Sequence, residues 1–422
     1  MTAVSAESRT GLVLAGGGAR GAYEAGALSE LLPVLERRGQ RPRIITGASV
    51  GAINAVALAA RSHLPAEQAV GEMLEIWRTV SQGDVVRPVL RSAPGAVLRY
   101  LGQLLAVPGM RLPSLLDSAP LWDTVDRWVD WEQLHRCVQD GCLERVAVVA
   151  TSARTGKTVV FTDGVHPLPI HRSHAVAYVE TELGLEHVRA SGSIPVIWPP
   201  AEVTTPPKAR GWYFDGGTRL NTPIKPTLDL GADRLVVAAV DSIVGPVMDE
   251  DADEGAQGVP DFGDGILHLL EGTLVDPVIE DMRRLGSINA FYAGDIAGPG
   301  PRLYRSTRGK DPYRVIPYIF VGPPARGQIG RLATEVFHDR YAGLKGLRSP
   351  DLVFLNELLG GNSPTHGELL SLLFFDSVFI AELIRLGQEN ARSWLSDLHD
   401  GDGPWQHGPL TTFTMPRQWT AG

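Results

Sequence analysis

Cysteine is nearly absent from the sequence. Of 422 residues, only Cys137 and Cys142 are cysteines, and the residues around them do not have the spacing of a metal site. Neither a disulfide framework nor a zinc centre is therefore expected. The simplest interpretation is two ordinary thiols in a reducing compartment.

Basic charge and long apolar runs are also scarce. The chain has 39 lysines and arginines against 48 aspartates and glutamates, whereas a nucleic-acid-binding protein normally carries a basic face. No apolar run reaches the ~18 residues of a membrane-spanning helix, and the opening "MTAVSAESRTG" lacks the apolar core of a signal peptide. We therefore expect a cytoplasmic protein with no nucleic-acid partner.

The chain does contain enough apolar residues, 44% of the total, to bury a large core. Short apolar runs such as Leu12 to Ala15, "RIIT" at 43–46 and "RLVVAAVDS" at 234–242 have the character of buried strands. Helical patterns separate these runs. Strands that alternate with helices predict an α/β fold with a mainly parallel sheet.

A glycine-rich loop follows the first predicted strand. Its Gly16-x-Gly18-x-x-Gly21 spacing matches the dinucleotide-binding fingerprint. A dinucleotide site also needs an acidic residue about 20 residues further on, at the end of the second strand, to bind the ribose. The second strand runs instead into "TGASVGAIN", which has no acid there. This difference argues against a nucleotide-binding oxidoreductase.

The second strand ends in Gly47-x-Ser49-x-Gly51, the nucleophile-elbow pattern, between a strand and a helix. Ser49 lies at a helix N-terminus, where the helix dipole favours developing negative charge. If the two loops end adjacent parallel strands, they share one edge of the sheet. The N–H groups of Gly17 and Gly18 are then expected to form an oxyanion hole for acyl transfer at Ser49.

A third motif, Asp215-Gly216-Gly217, ends the aromatic stretch "WYF". The glycines allow other backbone segments to approach closely. Taken alone, this pattern is more typical of an aspartate in a turn than of a catalytic base.

The three motifs "GGGARG", "GASVG" and "DGG", in this order, resemble those of the patatin-like phospholipase family of lipid acyl hydrolases. The segments "RASGSIPVIWPP" and "DGGTRLNTPI" are similar to that family as well. The resemblance implies a three-layer α/β/α fold with a mainly parallel central sheet. It places a catalytic domain at residues 11–242 and a C-terminal region at 243–422, with helices and an extra strand packed on that domain.

The resemblance also implies a Ser-Asp dyad, with Ser49 as nucleophile and Asp215 as general base. The reaction would pass through an acyl-enzyme and need neither a cofactor nor a metal. Its substrate would be a phospholipid or another acyl lipid at a membrane surface, as in a phospholipase A or lysophospholipase of lipid catabolism or membrane remodelling. The oxyanion hole is assigned to Gly16, Gly17, Gly18 and Arg20, and the remaining motif positions are Gly21, Gly47, Gly51, Gly216 and Gly217.

Several points remain open on the residues alone. An α/β-hydrolase esterase would complete a triad with a later histidine, such as His268 or His338, although that fold normally places more strands before its elbow than fit before residue 49.

Arg20 has two further interpretations, orienting the glycine loop or binding a lipid phosphate. The apolar segment from Ala96 to Val107 is interpreted as core packing or as a lid that touches the membrane. The sequence does not indicate an oligomeric state.

Overall fold

The computed structural model describes residues 8–87, 114, 116–168, 175–242, 282, 285–287, 289, 315–341, 366–397 and 403–408. Strands and α-helices are numbered along these residues. The strands are β1 (Thr10–Leu14), β2 (Ile44–Ala48), β3 (Arg145–Ser152), β4 (Thr158–Gly164), β5 (Val176–Glu180), β6 (Ala201–Val203), β7 (Gly211–Asp215), β8 (Arg234–Ala238) and β9 (Tyr318–Val321). The helices are α1 (Gly21–Arg37), α2 (Val50–Ala59), α3 (Ala66–Thr79), α4 (Ala119–Trp128), α5 (Trp131–Gln139), α6 (Leu185–Gly192), α7 (Gly217–Leu220), α8 (Ile224–Asp229), α9 (Gln328–Tyr341), α10 (His366–Leu373) and α11 (Ser377–Ser396).

The nine described strands form one sheet in the order β5-β4-β3-β2-β1-β8-β9, and β7 pairs with both β3 and β6. Four adjacent pairs in this order are parallel, namely β3 with β2, β2 with β1, β1 with β8 and β8 with β9. Strand β3 is antiparallel to β4 and to β7. The sheet is therefore mixed but mostly parallel, as the alternation of strands and helices predicts.

Alternate side chains of each central strand enter two separate apolar clusters. In β1, Leu12 and Leu14 face a cluster that includes residues of α1, α2 and α11, whereas Val13 faces a cluster that includes Ile224 of α8. Because neighbouring residues of a strand point to opposite faces, the sheet must be covered on both sides. The predicted three-layer α/β/α architecture is confirmed.

Helices α1 and α11 approach each other closely through glycine. A β-carbon on Gly26 would lie 2.2 Å from the carbonyl oxygen of Ile384, and one on Gly387 would lie 2.1 Å from that of Tyr23. Within the sheet, β8 is the neighbour of β1, and strand β9 pairs with β8 and extends the sheet by one more strand. Segments far along the chain thus pack directly on the N-terminal part of the fold. The division of the chain at residue 242 stays a prediction.

Two sequence predictions fall on residues that the structure does not describe, namely the apolar segment 96–107 and His268. Among the helices that are described, none has the length and apolar character needed to cross a bilayer.

Candidate active site

Ser49 lies in the sharp turn between β2 and α2. Its φ of 53° and ψ of −126° are unusual for a residue with a side chain, and such strained conformations concentrate at functional sites. A β-carbon on Gly47 would lie 2.1 Å from the carbonyl oxygen of Gly51, and one on Gly51 would lie 2.4 Å from that of Leu14. Both glycines are therefore sterically required for the elbow.

The end of helix α6 holds the elbow and the Asp215 loop together. The Ser49 N–H donates to the Ser191 hydroxyl at 2.9 Å, and that hydroxyl donates to the Val149 carbonyl at 2.6 Å. The Asp215 N–H donates to the Ser193 carbonyl at 2.8 Å. Sequence reasoning missed this role of Ser191. The residue belongs to "RASGSIPVIWPP", but serine is too common for the pattern to reveal which hydroxyl supports the elbow.

Asp215 ends β7, opposite Ala150 of β3, which is the neighbour of β2 in the sheet. Its Oδ1 accepts the Gly217 N–H at 2.6 Å. Its Oδ2 is buried and has no hydrogen-bond partner among the described residues. Burial raises the pKa of Asp215 to about 7, although the Ser49 hydroxyl and the Gly217 amide both lower it. A carboxyl group that titrates near neutral pH therefore lies beside Ser49.

The glycine loop contacts the elbow through Gly16, where a β-carbon would lie 2.9 Å from the Ser49 β-carbon. The Gly16 N–H already donates to the Asn221 carbonyl at 3.1 Å, so this amide is not available as an oxyanion donor. Within the described part of the chain, the N–H groups of Gly17 and Gly18 make no hydrogen bond. These two amides remain the candidates for the oxyanion hole.

The Arg20 side chain, assigned to the oxyanion hole from the sequence, is used elsewhere. It is buried, and its guanidinium pairs with Asp241 at 3.0 Å and with the Glu368 carboxylate. It also donates to the Ser371 hydroxyl at 2.8 Å. With these partners, Arg20 is placed to orient the glycine loop rather than to donate to the oxyanion. Of the four positions assigned to the oxyanion hole from the sequence, the Gly16 amide and the Arg20 side chain have other partners, and the Gly17 and Gly18 amides remain as candidate donors.

A buried polar network lies behind the glycine loop. Glu24 accepts the Ala15 N–H at 2.7 Å and an Asn54 amide N–H at 2.8 Å, and Asn54 in turn accepts the indole N–H of Trp77 at 3.0 Å. Burial raises the pKa of Glu24 to about 8, although the hydrogen bonds from Asn54 and Ala15 lower it. The network ties the start of the loop to a tryptophan in the wall of the neighbouring pocket.

An apolar pocket opens beside Ser49. Among its described lining residues are four tryptophans, and in that part of the wall only Ser49 carries a hydroxyl group. The lining residues are Gly18, Ser49, Val50, Ile53, Trp77, Val80, Val85, Leu121, Trp122, Trp128, Gly192, Ile194, Trp198, Leu372, Leu373 and Phe375. An apolar pocket at a candidate nucleophile suits a hydrocarbon chain.

The described residues give no histidine partner to Ser49 or Asp215. His338 is exposed on helix α9, and the groups that influence Asp215 are the Ser49 hydroxyl and the Gly217 amide. The same described ranges contain no group of three or more histidine, cysteine, aspartate or glutamate side chains able to hold a metal ion.

Comparison with solved structures gives only distant similarity. VipD from Legionella pneumophila is 12% identical with a TM-score of 0.33, and the alignment covers 92% of this chain but 66% of VipD. ExoU in its complex with SpcU, from the type III secretion system of Pseudomonas aeruginosa, is 17% identical with a TM-score of 0.25; the alignment covers 86% of this chain and 70% of that one. Similarity at this level does not establish a shared activity. No curated protein matches the chain.

Comparison with family models is more decisive. The model of the Patatin family, described as patatin-like phospholipase, matches residues 12–228. This range is just over half of the chain and includes the glycine loop, the Ser49 elbow and the Asp215 loop. The chain therefore belongs to the patatin-like phospholipase family.

Proposed function

We propose that the protein is a serine lipid acyl hydrolase in which Ser49 and Asp215 form a catalytic dyad. The observation that carries this proposal is the buried Asp215 carboxyl, which has an Oδ2 without a described partner and lies beside a strained serine at an apolar pocket. Membership of a family of lipid hydrolases supports the same chemistry. A general base works best when its pKa is near the operating pH.

In the proposed reaction, the Asp215 carboxylate takes the proton of the Ser49 hydroxyl as Oγ attacks the acyl carbonyl carbon. The N–H groups of Gly17 and Gly18 stabilise the negative charge on the carbonyl oxygen. The ester bond then breaks, and the leaving alcohol takes the proton from Asp215. Asp215 next removes a proton from water, which attacks the acyl-enzyme, and the proton returns to Ser49 as the fatty acid leaves.

The pocket supports a substrate with a fatty-acyl chain, since its wall is built from aromatic and aliphatic side chains. We propose a phospholipid, a lysophospholipid or another acyl ester, presented at a membrane surface. Purified protein assayed against a panel of phospholipids, lysophospholipids and neutral glycerides tests this proposal. Absence of hydrolysis across the panel and on short-chain esters would contradict it.

The activity is expected to depend on pH through Asp215. The base must be ionised to accept the serine proton, and burial places its pKa at about 7 rather than near its ordinary value of 3.8. We expect kcat/KM for a soluble nitrophenyl ester to rise with pH to a plateau above an apparent pKa of about 7. A rate that stays constant from pH 8 down to pH 5 would exclude Asp215 as the base.

Chain-length preference is expected to depend on Ile53, which lines the pocket one helical turn beyond Ser49. Ile53→Phe fills space that the distal part of an acyl chain would use. We expect kcat/KM for a dodecanoyl nitrophenyl ester to fall roughly tenfold or more, with little change for the acetyl ester. Val165→Phe, at an exposed position, is the control. Equal losses on both esters would show that the pocket does not hold the chain.

A further inference from the structure

We propose that Glu368 is a positioning residue for the oxyanion hole and acts through the buried Arg20. Glu368 lies on helix α10, well outside the 12–228 range matched by the family. The inference rests on the proposed function, because it assigns the Gly17 and Gly18 amides to the transition state. It adds a contribution from the C-terminal part of the chain that the family motifs do not contain.

The guanidinium of Arg20 is held from three directions. Its Nη1 donates to Asp241 at 3.0 Å, its Nε donates to the Ser371 hydroxyl at 2.8 Å, and its Nη2 donates to the Glu368 carbonyl at 2.8 Å as well as to the Glu368 carboxylate. The Arg20 side chain is only 4% exposed. A planar guanidinium with so many fixed partners has little freedom to move.

Arg20 transmits this restraint to the two candidate donors through the backbone. Gly18–Arg20 form a short 3-10 turn, in which the Arg20 N–H donates to the Gly17 carbonyl at 3.1 Å. Gly17 and Gly18 therefore belong to the same rigid turn as Arg20. Fixing the guanidinium therefore restrains the Gly17 and Gly18 peptide groups, which are the proposed oxyanion donors.

Helix α10 also contacts the turn directly. A β-carbon on Gly18, whose φ is +57°, would lie 2.1 Å from the Leu372 carbonyl oxygen. Leu372 and Leu373 of the same helix line the apolar pocket with Ser49. One helix thus holds the Arg20 side chain, packs on the oxyanion loop and forms part of the acyl site. An ion pair with no role beyond stability would not need to lie at this junction.

Two carboxylates surround one guanidinium in this cluster. Burial and Glu368 raise the pKa of Asp241, whereas Arg20 and Arg326 lower it. Removing the Glu368 charge leaves Arg20 with Asp241 as its closest anionic partner in the described residues. We expect the guanidinium then to shift toward Asp241 and to carry the Gly17–Gly18 turn with it.

The test compares Glu368→Gln with Glu382→Gln, whose carboxylate pairs with Arg385 on the exposed side of α11. We expect Glu368→Gln to lower kcat for a short-chain nitrophenyl ester about tenfold or more, with KM within about twofold. Glu382→Gln is expected to keep wild-type values. Both variants should keep the thermal midpoint within a few degrees of wild type.

Two inhibitors distinguish a loss of oxyanion-hole positioning from a general loss of stability in Glu368→Gln. Octyl trifluoromethyl ketone forms a tetrahedral adduct whose oxygen occupies the oxyanion hole, whereas octanoate binds as a product. We expect Glu368→Gln to weaken inhibition by the ketone by about the same factor as kcat and to leave inhibition by octanoate unchanged. Equal weakening of both ligands, or unchanged kcat, would overturn the inference.

Two controls keep the outcomes distinct. If Glu368→Gln does not fold, Ser371→Ala is the second variant, since it removes the partner of Arg20 Nε and the hydrogen bond that the Ser371 hydroxyl donates to the Glu368 carbonyl. It should give a smaller fall in kcat and weaken inhibition by the ketone but not by octanoate; an unchanged kcat in that variant overturns the inference. If wild-type protein hydrolyses no ester, the proposed function fails. If hydrolysis depends on Ser49 but not on Glu368 or Ser371, only the positioning role fails.

Discussion

Asp215→Asn is expected to lower kcat for ester hydrolysis by about 10²–10⁴-fold while increasing stability at alkaline pH. Asparagine has the same shape, and its carbonyl oxygen can keep the hydrogen bond from the Gly217 amide. It cannot accept the Ser49 proton. Rates on a soluble nitrophenyl ester measure the loss, and replacement of the exposed His338 by alanine should leave most activity.

The stability of Asp215→Asn follows from the raised pKa. The carboxyl group has a pKa of about 7 in the folded protein and an ordinary value of 3.8, so the folded state binds more protons between these values. Wild-type stability is therefore lost as pH rises through this window, by up to about 4 kcal/mol above pH 7. The thermal midpoint of Asp215→Asn should exceed that of wild type by several degrees at pH 8 and by less at pH 5.

Two results would contradict this account of Asp215. A variant that keeps wild-type kcat while His338→Ala is inactive would support the Ser-Asp-His alternative. A variant that is less stable than wild type at pH 8 would contradict the stability expected from the raised pKa of Asp215.

Ser49→Ala is expected to abolish ester hydrolysis, with a loss of about 10⁴-fold or more and a fold like that of wild type. Serine and alanine both have a β-carbon, so the elbow needs no rearrangement. The backbone N–H at position 49 keeps its hydrogen bond to the Ser191 hydroxyl. Loss of the hydroxyl also removes a group that lowers the pKa of Asp215. Ser396→Ala, at the end of α11, is the control. Turnover by Ser49→Ala near the wild-type rate would exclude Ser49 as nucleophile.

The fold and the motifs around Ser49 and Asp215 are predictable from the sequence because their signals are local. Gly47 and Gly51 leave room for backbone carbonyls around Ser49, and a β-carbon on Gly216 would lie 2.1 Å from the Val149 carbonyl oxygen. Such steric requirements permit only glycine, so the motifs remain visible in a single sequence. The continuous apolar run of β1 likewise indicates burial on both faces of the strand.

The supporting contacts are not predictable in this way because they join distant segments. Arg20 meets Glu368 across 348 positions, and Ser191 meets Ser49 across 142. Neither pair has a spacing that a sequence pattern could reveal. The Gly16 amide presents the same difficulty, since its use by the Asn221 carbonyl depends on where the chain returns after Asp215.

The most direct test of the dyad is mass spectrometry after reaction with an alkyl fluorophosphonate, which labels activated serines. Trypsin should release residues 44–61, "IITGASVGAINAVALAAR", in which Ser49 is the only serine. We predict a single phosphonyl adduct on Ser49 in wild type and in His338→Ala, and labelling at least about 10²-fold slower in Asp215→Asn. An adduct on another residue, or wild-type labelling rates in Asp215→Asn, would contradict the Ser49–Asp215 assignment.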